Sequence, residues 1–481
     1  MKRIVTGFCL ILAAAAAPIV HAAKPPDYAV VVSVRTQADP AWRAVVTALL
    51  KKHRAQVITF NSSVNEVLPE LRRLFPRYVC FVTQPEEASR QFVAQVHRLT
   101  RQLDEDPYTD CFWGILTGYD AAAALRIARL DHPLIVRKAA AGTSIPLELF
   151  EQGSWYCEVK QNRMVHKARG GVPAEERGPD DTTKPLVDLL NDYRADLFVT
   201  SGHATERDWQ IGYGYRNGSF RCEQGRLYGR DTAGRRYAIE SSNPKVYMAV
   251  GNCLMGHIDD REAMALAFLN SAGVAQMLGY TVNTWYGYAG WGCLDYFVEQ
   301  PGRFTFTEAF FANQHALVHR LSTFFPDLLN AEIDENARTA ATISVSSKAR
   351  DAALDAQDGR GLLYDRDVLA FYGDPAWEAR LAKAETGWKQ KLNQKRGVWT
   401  LEIEPLRGPR SFGVIDANGS QRGGRPIIQF LPQRLKLVEV LEGAELNPVI
   451  TDDFVLIPVP ASSDPRRSYR VVFRATRRDP G

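Results

Sequence analysis

A histidine and a cysteine stand close behind two apolar runs of this chain. His203 closes the tripeptide that follows the run 197–200, and Cys253 closes the tripeptide that follows the run 246–250. A cysteine thiolate attacks a carbonyl carbon, while a neighbouring imidazole takes the thiol proton and then protonates the departing amine. These two residue types at these two places predict acyl-transfer chemistry, with Cys253 as nucleophile and His203 as general acid and base.

The two apolar runs are typical of buried strands, which would bring residues so far apart in sequence together. Reactive groups in an open parallel sheet gather beyond the carboxyl ends of the strands, where the chain turns through small residues. Neighbouring strands lie ~4.8 Å apart, so a thiol and an imidazole just past two adjacent strand ends face each other across a narrow cleft. The backbone N–H groups of the turns are suited to bind an oxyanion.

Simpler interpretations compete with this one. A buried cysteine is usually a small hydrophobe, and a histidine at a strand end is often only a hydrogen-bonded turn residue. His257 lies four residues after Cys253, but we place it in the turn before the next helix and prefer His203. His315 and His319 have the spacing of two metal ligands, yet no glutamate follows His315, so a solvated helix face is the better interpretation. No metal site is predicted.

The order of apolar runs and amphipathic segments divides the chain into units. Strands alternate with helices over 23–150, and the alternation resumes over 185–395. The residues between, 151–184, are polar and Gly-punctuated, which is typical of a connecting segment. Strands that alternate with helices indicate crossover units, so we expect two doubly wound α/β subdomains with parallel sheets. From 396 to 481 short alternating runs broken by Gly and Pro predict a small antiparallel β-domain.

The residues around Cys253 resemble a known family. Val-Gly-Asn-Cys-Leu-Met-Gly (250–256), the helix 263–267 and the segment 271–282 resemble the gingipain-like cysteine peptidases, in the class of caspases and legumains. Phe-Tyr-Gly-Asp-Pro-Ala (371–376) looks like the element that closes such a catalytic domain. The resemblance covers roughly 28–390 in layout and is sharp from about 197 to 282. It implies caspase-like α/β subdomains and an immunoglobulin-like C-terminal domain.

The resemblance also implies roles for single residues. Cys253 would be the nucleophile of an endopeptidase and His203 its general acid and base, and the N–H groups of Cys253 and Ala204 would form the oxyanion hole. The family usually has Gly directly after the catalytic histidine, and Ala204 restricts the backbone more than Gly does. Four further residues are candidates for contact with a protein or peptide substrate: Gly251, Asn252, Trp285 and Trp291.

The aromatic, Gly-rich segment 284–292 carries two of these candidates, and two interpretations of it stay open. It either walls a specificity pocket or is a surface loop packed by its own aromatic residues. Glu206 and Asp208 follow closely behind His203, and an acidic pocket would favour Arg or Lys beside the scissile bond. We expect both carboxylates to be solvated loop charges. The chemistry requires no cofactor, and structural calcium is left open.

The first residues predict export. Lys2 and Arg3 precede the apolar run 4–17, and a small-residue cleavage site follows, so we expect a signal peptide over 1–22 and a secreted or periplasmic protein. That run is too short for a membrane span, and no later stretch reaches the ~18 apolar residues that a spanning helix requires. The 59 Lys and Arg against 55 Asp and Glu create no basic field, so no nucleic-acid partner is expected.

Two other functions fit the same pattern. In the first, the chain is a catalytically inactive extracellular binding module. In the second, it is an acyl transferase that passes the acyl group to an amine instead of water. The state of Cys253 separates an enzyme from a binding module, because a nucleophilic thiol must be free. The mature chain has six cysteines, an even number that invites disulfides in an exported protein, but a chain this long does not need them. Their pairing is not predicted.

Overall fold

The computed structural model describes residues 27–332, 343–459 and 468–478. The predicted signal peptide, 1–22, lies outside the described residues. None of the helices in the described ranges has the length and apolar character needed to cross a bilayer. The α-helices are α1 (Val34–Ala38), α2 (Pro40–His53), α3 (Leu68–Leu74), α4 (Arg90–Thr100), α5 (Ala121–Ala128), α6 (Thr183–Asn191), α7 (Met264–Ser271), α8 (Tyr288–Phe297), α9 (Phe306–Phe324), α10 (Ser347–Asp351) and α11 (Ala356–Asp365).

The strands belong to one large sheet and several small ones. In chain order they are β1 (Tyr28–Ser33), β2 (Gln56–Phe60), β3 (Tyr78–Val82), β4 (Phe112–Leu116), β5 (Leu134–Val136), β6 (Lys138–Ala141), β7 (Gln152–Tyr156), β8 (Arg163–Lys167), β9 (Ala174–Arg177), β10 (Leu197–Gly202), β11 (Asp208–Gln210), β12 (Ser219–Glu223), β13 (Arg226–Arg230), β14 (Arg236–Ile239), β15 (Lys245–Asn252), β16 (Val274–Tyr280), β17 (Leu369–Tyr372), β18 (Ala379–Leu381), β19 (Trp388–Lys395), β20 (Val398–Pro405), β21 (Ile427–Phe430), β22 (Leu435–Glu442), β23 (Val449–Ile450), β24 (Phe454–Ile457) and β25 (Tyr469–Arg477).

The large sheet has 12 strands in the order β2-β1-β3-β4-β17-β16-β15-β10-β6-β7-β8-β9. Most neighbours are parallel, while β17 runs antiparallel to β16 and the edge strands β8 and β9 are antiparallel to their neighbours. Central strands such as β1, β4 and β16 are buried along their whole length. This burial explains why they appear in the sequence as continuous apolar runs. The predicted α/β class is confirmed.

The strands of the two predicted α/β subdomains join in this one sheet. The strand β17 lies between them, because it pairs with β16 on one side and meets β4 at the pair of Tyr372 and Ile115 on the other. Apolar side chains on both sides of the sheet form a single buried cluster. The site is therefore held by a continuous core and not by two cores that meet at a surface.

The predicted connecting segment, 151–184, contains three strands of the large sheet. The strand β7 is buried next to β6, whereas β8 is half-buried and β9 is fully exposed at the sheet edge. Charged residues on an exposed edge strand protect it from pairing with other chains. The same charges give the segment the polar composition of a loop, so the prediction of a plain surface connection is wrong here.

The C-terminal region is built from antiparallel strands, as predicted. One sheet has the order β19-β20-β25-β22 and a smaller one the order β21-β24-β23. The side chains between them form a second buried cluster, which includes Trp399, Leu401, Val455 and Phe473. The strand β19 begins at Trp388 and pairs with β20, so the antiparallel region starts before residue 396. We call residues 388–478 the β-domain.

The helix α9 corrects one expectation about histidines. His315 is buried and stacks on Phe454 of the β-domain, with ring centroids 4.3 Å apart and an angle of 15° between the planes. Burial lowers the pKa of His315 to about 3 and that of His319 to about 4. The prediction of a solvated helix face is therefore wrong, because this face of α9 packs against the β-domain.

Candidate active site

The strands β10 and β15 are parallel neighbours, and their pairing decides where His203 and Cys253 lie. The last pair in the register joins Gly202 to Asn252, so His203 and Cys253 each come directly after a paired residue at the same level of the sheet. Parallel neighbours are ~4.8 Å apart. The structure thus brings the two predicted residues side by side at one edge of the sheet.

A bulge in β15 produces this alignment. Thr200 pairs with Ala249, but Ser201 pairs with Gly251, so Val250 is an extra residue on the β15 side. If the pairing of Thr200 with Ala249 continued without a bulge, Asn252 would lie beside His203, and Cys253 would lie one position further along. Bulges re-aim side chains at sheet rims and next to active sites.

Left-handed backbone lies beside both candidate catalytic residues. Gly202, before His203, has φ +98°, and Leu254, after Cys253, has φ 57°. Glycine adopts such values at little cost, whereas a bulky residue such as leucine is strained there by about 1–3 kcal/mol. Both strands therefore end in sharp turns next to the candidate catalytic residues.

Cys253 is half-buried and its thiol is free. Its Sγ accepts a hydrogen bond from the Thr284 N–H at 3.2 Å. His203 is exposed, and its ring lies 4.8 Å from the ring of Tyr213. Within 27–332, 343–459 and 468–478 no hydrogen bond is recorded between Sγ and the His203 ring. Catalytic hydrogen bonds are often long or poorly aligned in a protein without substrate and tighten when substrate binds.

Asn252 holds the two strand tips together. Its side chain is fully buried, its Oδ1 accepts a hydrogen bond from Thr200 Oγ1 at 2.6 Å, and its Nδ2 donates to the Gly202 carbonyl at 3.1 Å. The side chain therefore faces β10 and does not reach a substrate, which corrects the prediction of a substrate-binding side chain. Because it ties Gly202 to β15, Asn252 positions the turn that carries His203.

The other predicted substrate-binding residues lie in different surroundings. Trp291 is buried on α8, and its indole packs against Gly251, where an added Cβ would come within 2.9 Å of Nε1. Trp285 is exposed and contacts the ring of Tyr364, with centroids 5.7 Å apart. The segment 284–292 therefore has two parts. Trp285 is on the surface, whereas the residues from Tyr288 onward belong to the buried helix α8.

The residues that follow the two turns make contacts of their own. Ala204 forms an isolated bridge with Trp209, which folds the chain back after His203. His257 Nδ1 lies 2.8 Å from Glu206 Oε1, and both side chains are partly buried. Glu206 is therefore paired and not simply a solvated loop charge, which corrects that expectation. Asp208 begins β11.

Sequence reasoning missed a buried carboxylate at the same edge of the sheet. Glu158 lies two residues beyond the end of β7, is 7% exposed, and accepts hydrogen bonds from Thr143 Oγ1 at 2.5 Å and Ser201 Oγ at 3.2 Å. Asn418 of the β-domain also contacts it, with Nδ2 3.5 Å from Oε1. The strand-end rule that found His203 and Cys253 would have found Glu158, had 151–184 been recognised as containing strands.

The cysteines and one cluster of carboxylates bear on the questions of disulfides and bound metal. All six cysteines of the described ranges are free, and burial raises the pKa of Cys222 to about 12. The carboxylates of Asp104, Asp106 and Asp110 have oxygens within 4.8 Å of one another. An acidic cluster alone does not define a calcium site.

Comparison with known proteins gives two similar solved structures. No protein-family model matches the chain, and no curated protein matches it. The chain is similar to the crystal structure of the Arg-specific cysteine proteinase gingipain R (RgpB), with 11% identity and a TM-score of 0.42 over 92% of this chain and 93% of that one. A complex of Porphyromonas gingivalis RgpB pro- and mature domains is similar at 10% identity and a TM-score of 0.41, over 94% of each chain. Both TM-scores are below 0.5, and these likenesses assign no function to this chain.

Proposed function

We propose that this chain is a gingipain-like cysteine endopeptidase in which Cys253 is the nucleophile and His203 the general acid and base. The observation that supports it best is the pairing of Gly202 with Asn252, which sets the two residues side by side past two adjacent strand ends. The thiol is free and half-buried, as a nucleophile requires. The His203 ring is exposed beside Tyr213, and we infer that it turns towards Sγ when substrate binds.

The reaction runs in two halves. Cys253 Sγ loses its proton to the His203 ring and bonds to the carbonyl carbon of the substrate, and the oxyanion accepts hydrogen bonds from the N–H groups of Cys253 and Ala204. The tetrahedral intermediate collapses, the C–N bond breaks, and His203 returns its proton to the departing amine. Water, deprotonated by His203, then attacks the thioester and releases the acid, which restores the free thiol.

The test is labelling of the folded protein with an electrophile that requires a reactive thiol. An iodoacetamide or peptidyl acyloxymethyl ketone probe is incubated with the protein, and the modified residue is located by mass spectrometry. We expect modification at Cys253, none in Cys253→Ala, and a rate at least ~100-fold lower in His203→Ala, since general acid and base groups contribute 10²–10⁴-fold.

Cys222 is a matched control within the same chain, because it is also free and half-buried but its pKa is raised to about 12. Cys222→Ala should leave both the rate and the site of labelling unchanged. Labelling spread equally over Cys222 and Cys253 would contradict the proposal and favour an inactive binding module. A peptide library then distinguishes hydrolysis from transfer, because ligated products would show that an amine replaces water.

Export is a separate part of the proposal. The basic start and apolar run before residue 23 support a cleaved signal peptide and a secreted or periplasmic protein. N-terminal sequencing of the protein recovered outside the cytoplasm should give a chain that begins near Ala23. An intact Met1 on the mature protein would contradict this part without affecting the dyad.

A further inference from the structure

A loop of the β-domain lies over the sheet edge that carries the candidate dyad. We call residues 415–422, between β20 and β21, the strap. Asn418, in its middle, donates from Nδ2 to Thr143 Oγ1 at 2.7 Å and contacts Glu158 at 3.5 Å. The next residue, Gly419, packs so closely on the Trp291 indole that a side chain there would overlap the ring. Two consecutive strap residues thus contact two different groups of side chains at this edge of the sheet.

The residues linked by contacts beneath the strap are called the recess: Thr143, Glu158, Ser201, Gly251 and Trp291. Ser201 and Gly251 are partners in the register of β10 and β15, so they lie side by side and their Cβ positions face the same side of the sheet. Each precedes a dyad residue by two positions. At ~3.3 Å per residue along a strand, the recess lies about 7 Å from His203 and Cys253.

The recess has the chemistry of a binding site that is already filled. Glu158 is buried, and among the residues that the structure describes its carboxylate contacts the neutral groups of Thr143, Ser201 and Asn418. A buried carboxylate is costly unless N–H or O–H donors or a cation surround it. The amide of Asn418 provides donors there. A substrate side chain that carries N–H donors would meet the same oxygens.

Ion pairs with α8 and the residues after it hold the strap in place. Arg422 pairs with Asp295 at 2.6 Å and with Glu299, and both of those carboxylates are buried. The Ile415 N–H donates to Glu299 at 2.8 Å, and Arg422 Nη1 donates to the carbonyl of Asn418 at 2.8 Å. Asn418 is therefore held from both sides, although its neighbours Ala417 and Gly419 are exposed.

From this geometry we propose that the strap is an autoinhibitory segment, in which Asn418 occupies the place of a substrate side chain beside the dyad. The proposal rests on the peptidase function proposed above, because it assigns the regulation of that site. Small molecules still reach Cys253 while the strap is in place, but a peptide has to displace Asn418 before its side chain enters the recess.

The test compares probes of two sizes on Asn418→Ala. The substitution empties the recess and leaves the anchors of the strap unchanged. We expect labelling of Cys253 by iodoacetamide to change less than twofold, and labelling by a peptidyl acyloxymethyl ketone with a long, N–H-bearing side chain to become at least tenfold faster. Asn393→Ala, an exposed asparagine on β19, is the matched control and should change neither rate.

A second measurement does not depend on a reactive Cys253. Ser201→Cys in a Cys253→Ala background places a reporter thiol at the base of the recess, and a bulky maleimide measures access to it. We expect modification at position 201 to be slow with the natural strap and at least tenfold faster when Asn418→Ala is added. Urea unfolding of each variant shows that the fold is intact.

The outcomes separate the two proposals. Faster maleimide modification without any labelling of Cys253 would support the strap and contradict the peptidase. Equal or slower peptide-probe labelling in Asn418→Ala, with normal iodoacetamide labelling, would overturn the strap as an inhibitor and make Asn418 a wall of the substrate pocket. Equal maleimide rates with and without Asn418 would also overturn it.

Discussion

Asp295 on α8 connects the β-domain to the core that carries the dyad. Its carboxylate accepts from Arg422 at 2.6 Å, from Arg425 at 2.9 Å and from the Gly423 N–H at 3.1 Å. The side chain of Asp295 is 5% exposed and that of each arginine 4%. Asp295→Ala removes the shared acceptor and leaves two buried guanidinium groups.

The expected loss of stability follows from what each arginine keeps. Arg422 still pairs with Glu299, whereas Arg425 keeps the carbonyl of Gln421 and the ring of Tyr288, 3.6 Å from its guanidinium carbon. Removing one partner of a buried ion pair costs ~3–5 kcal/mol, because the remaining charge stays buried. Since Arg422 retains a carboxylate, we expect Asp295→Ala to lower the free energy of unfolding by about 3 kcal/mol, near the lower limit of that range.

Urea unfolding followed by tryptophan fluorescence measures this change. The control is Asp188→Ala, which breaks an exposed pair with Lys184 in which the two side chains are 41% and 57% exposed. Exposed pairs of this kind contribute about 0.3–0.5 kcal/mol. A loss below about 1 kcal/mol for Asp295→Ala, or equal losses for the two variants, would refute the reasoning that burial decides the cost.

Three further predictions concern the strand tips and the anchor of the strap. Gly202→Ala has room for the methyl group but is strained at φ +98°, so it should lower stability by about 1 kcal/mol or more in thermal unfolding and slow labelling of Cys253 by displacing His203. Asn252→Ala removes the acceptor of Thr200 and the donor to the Gly202 carbonyl, while Thr200 Oγ1 keeps Tyr247 OH at 2.9 Å, so urea unfolding should show a loss of about 1–3 kcal/mol, and Cys253 labelling should slow. Burial raises the pKa of Glu299 from its ordinary 4.5 to about 7, so between pH 4.5 and 7 the folded state keeps a proton that the unfolded state loses. The stability that this proton contributes is lost as the pH rises towards 7. Glu299→Gln should flatten that slope in unfolding free energy measured from pH 4.5 to 7, and an unchanged slope would contradict the assignment.

Local patterns predicted the central elements well because their burial is visible in the sequence. Periodicity predicts a helix over 40–53 and strands over 56–60, 112–116 and 274–280, and these are the bounds of α2, β2, β4 and β16. The capping residue Asp39 before Pro40 begins α2, and its side chain accepts from the N–H groups of Ala41 and Trp42. Such signals depend on neighbours within one or two turns, which the sequence shows directly.

Elements with mixed surroundings were predicted less well. The edge strand β9 is exposed, so its composition does not differ from that of a loop. His315 belongs to a helix face covered by the β-domain, and its burial depends on Phe454, which is far along the chain. Nothing within a few residues of either segment reports these contacts.

The sequence by itself determined the residue types of the candidate site and their position behind two strands, because a buried strand followed by small residues is a local pattern. Only the tertiary structure decided that the bulge at Val250 sets Cys253 level with His203, and that Asn418 lies against Glu158. Both depend on which residues pair across the sheet and between domains. Pairing is decided by the packing of the whole core, so a shift of one residue leaves no trace in the sequence around it.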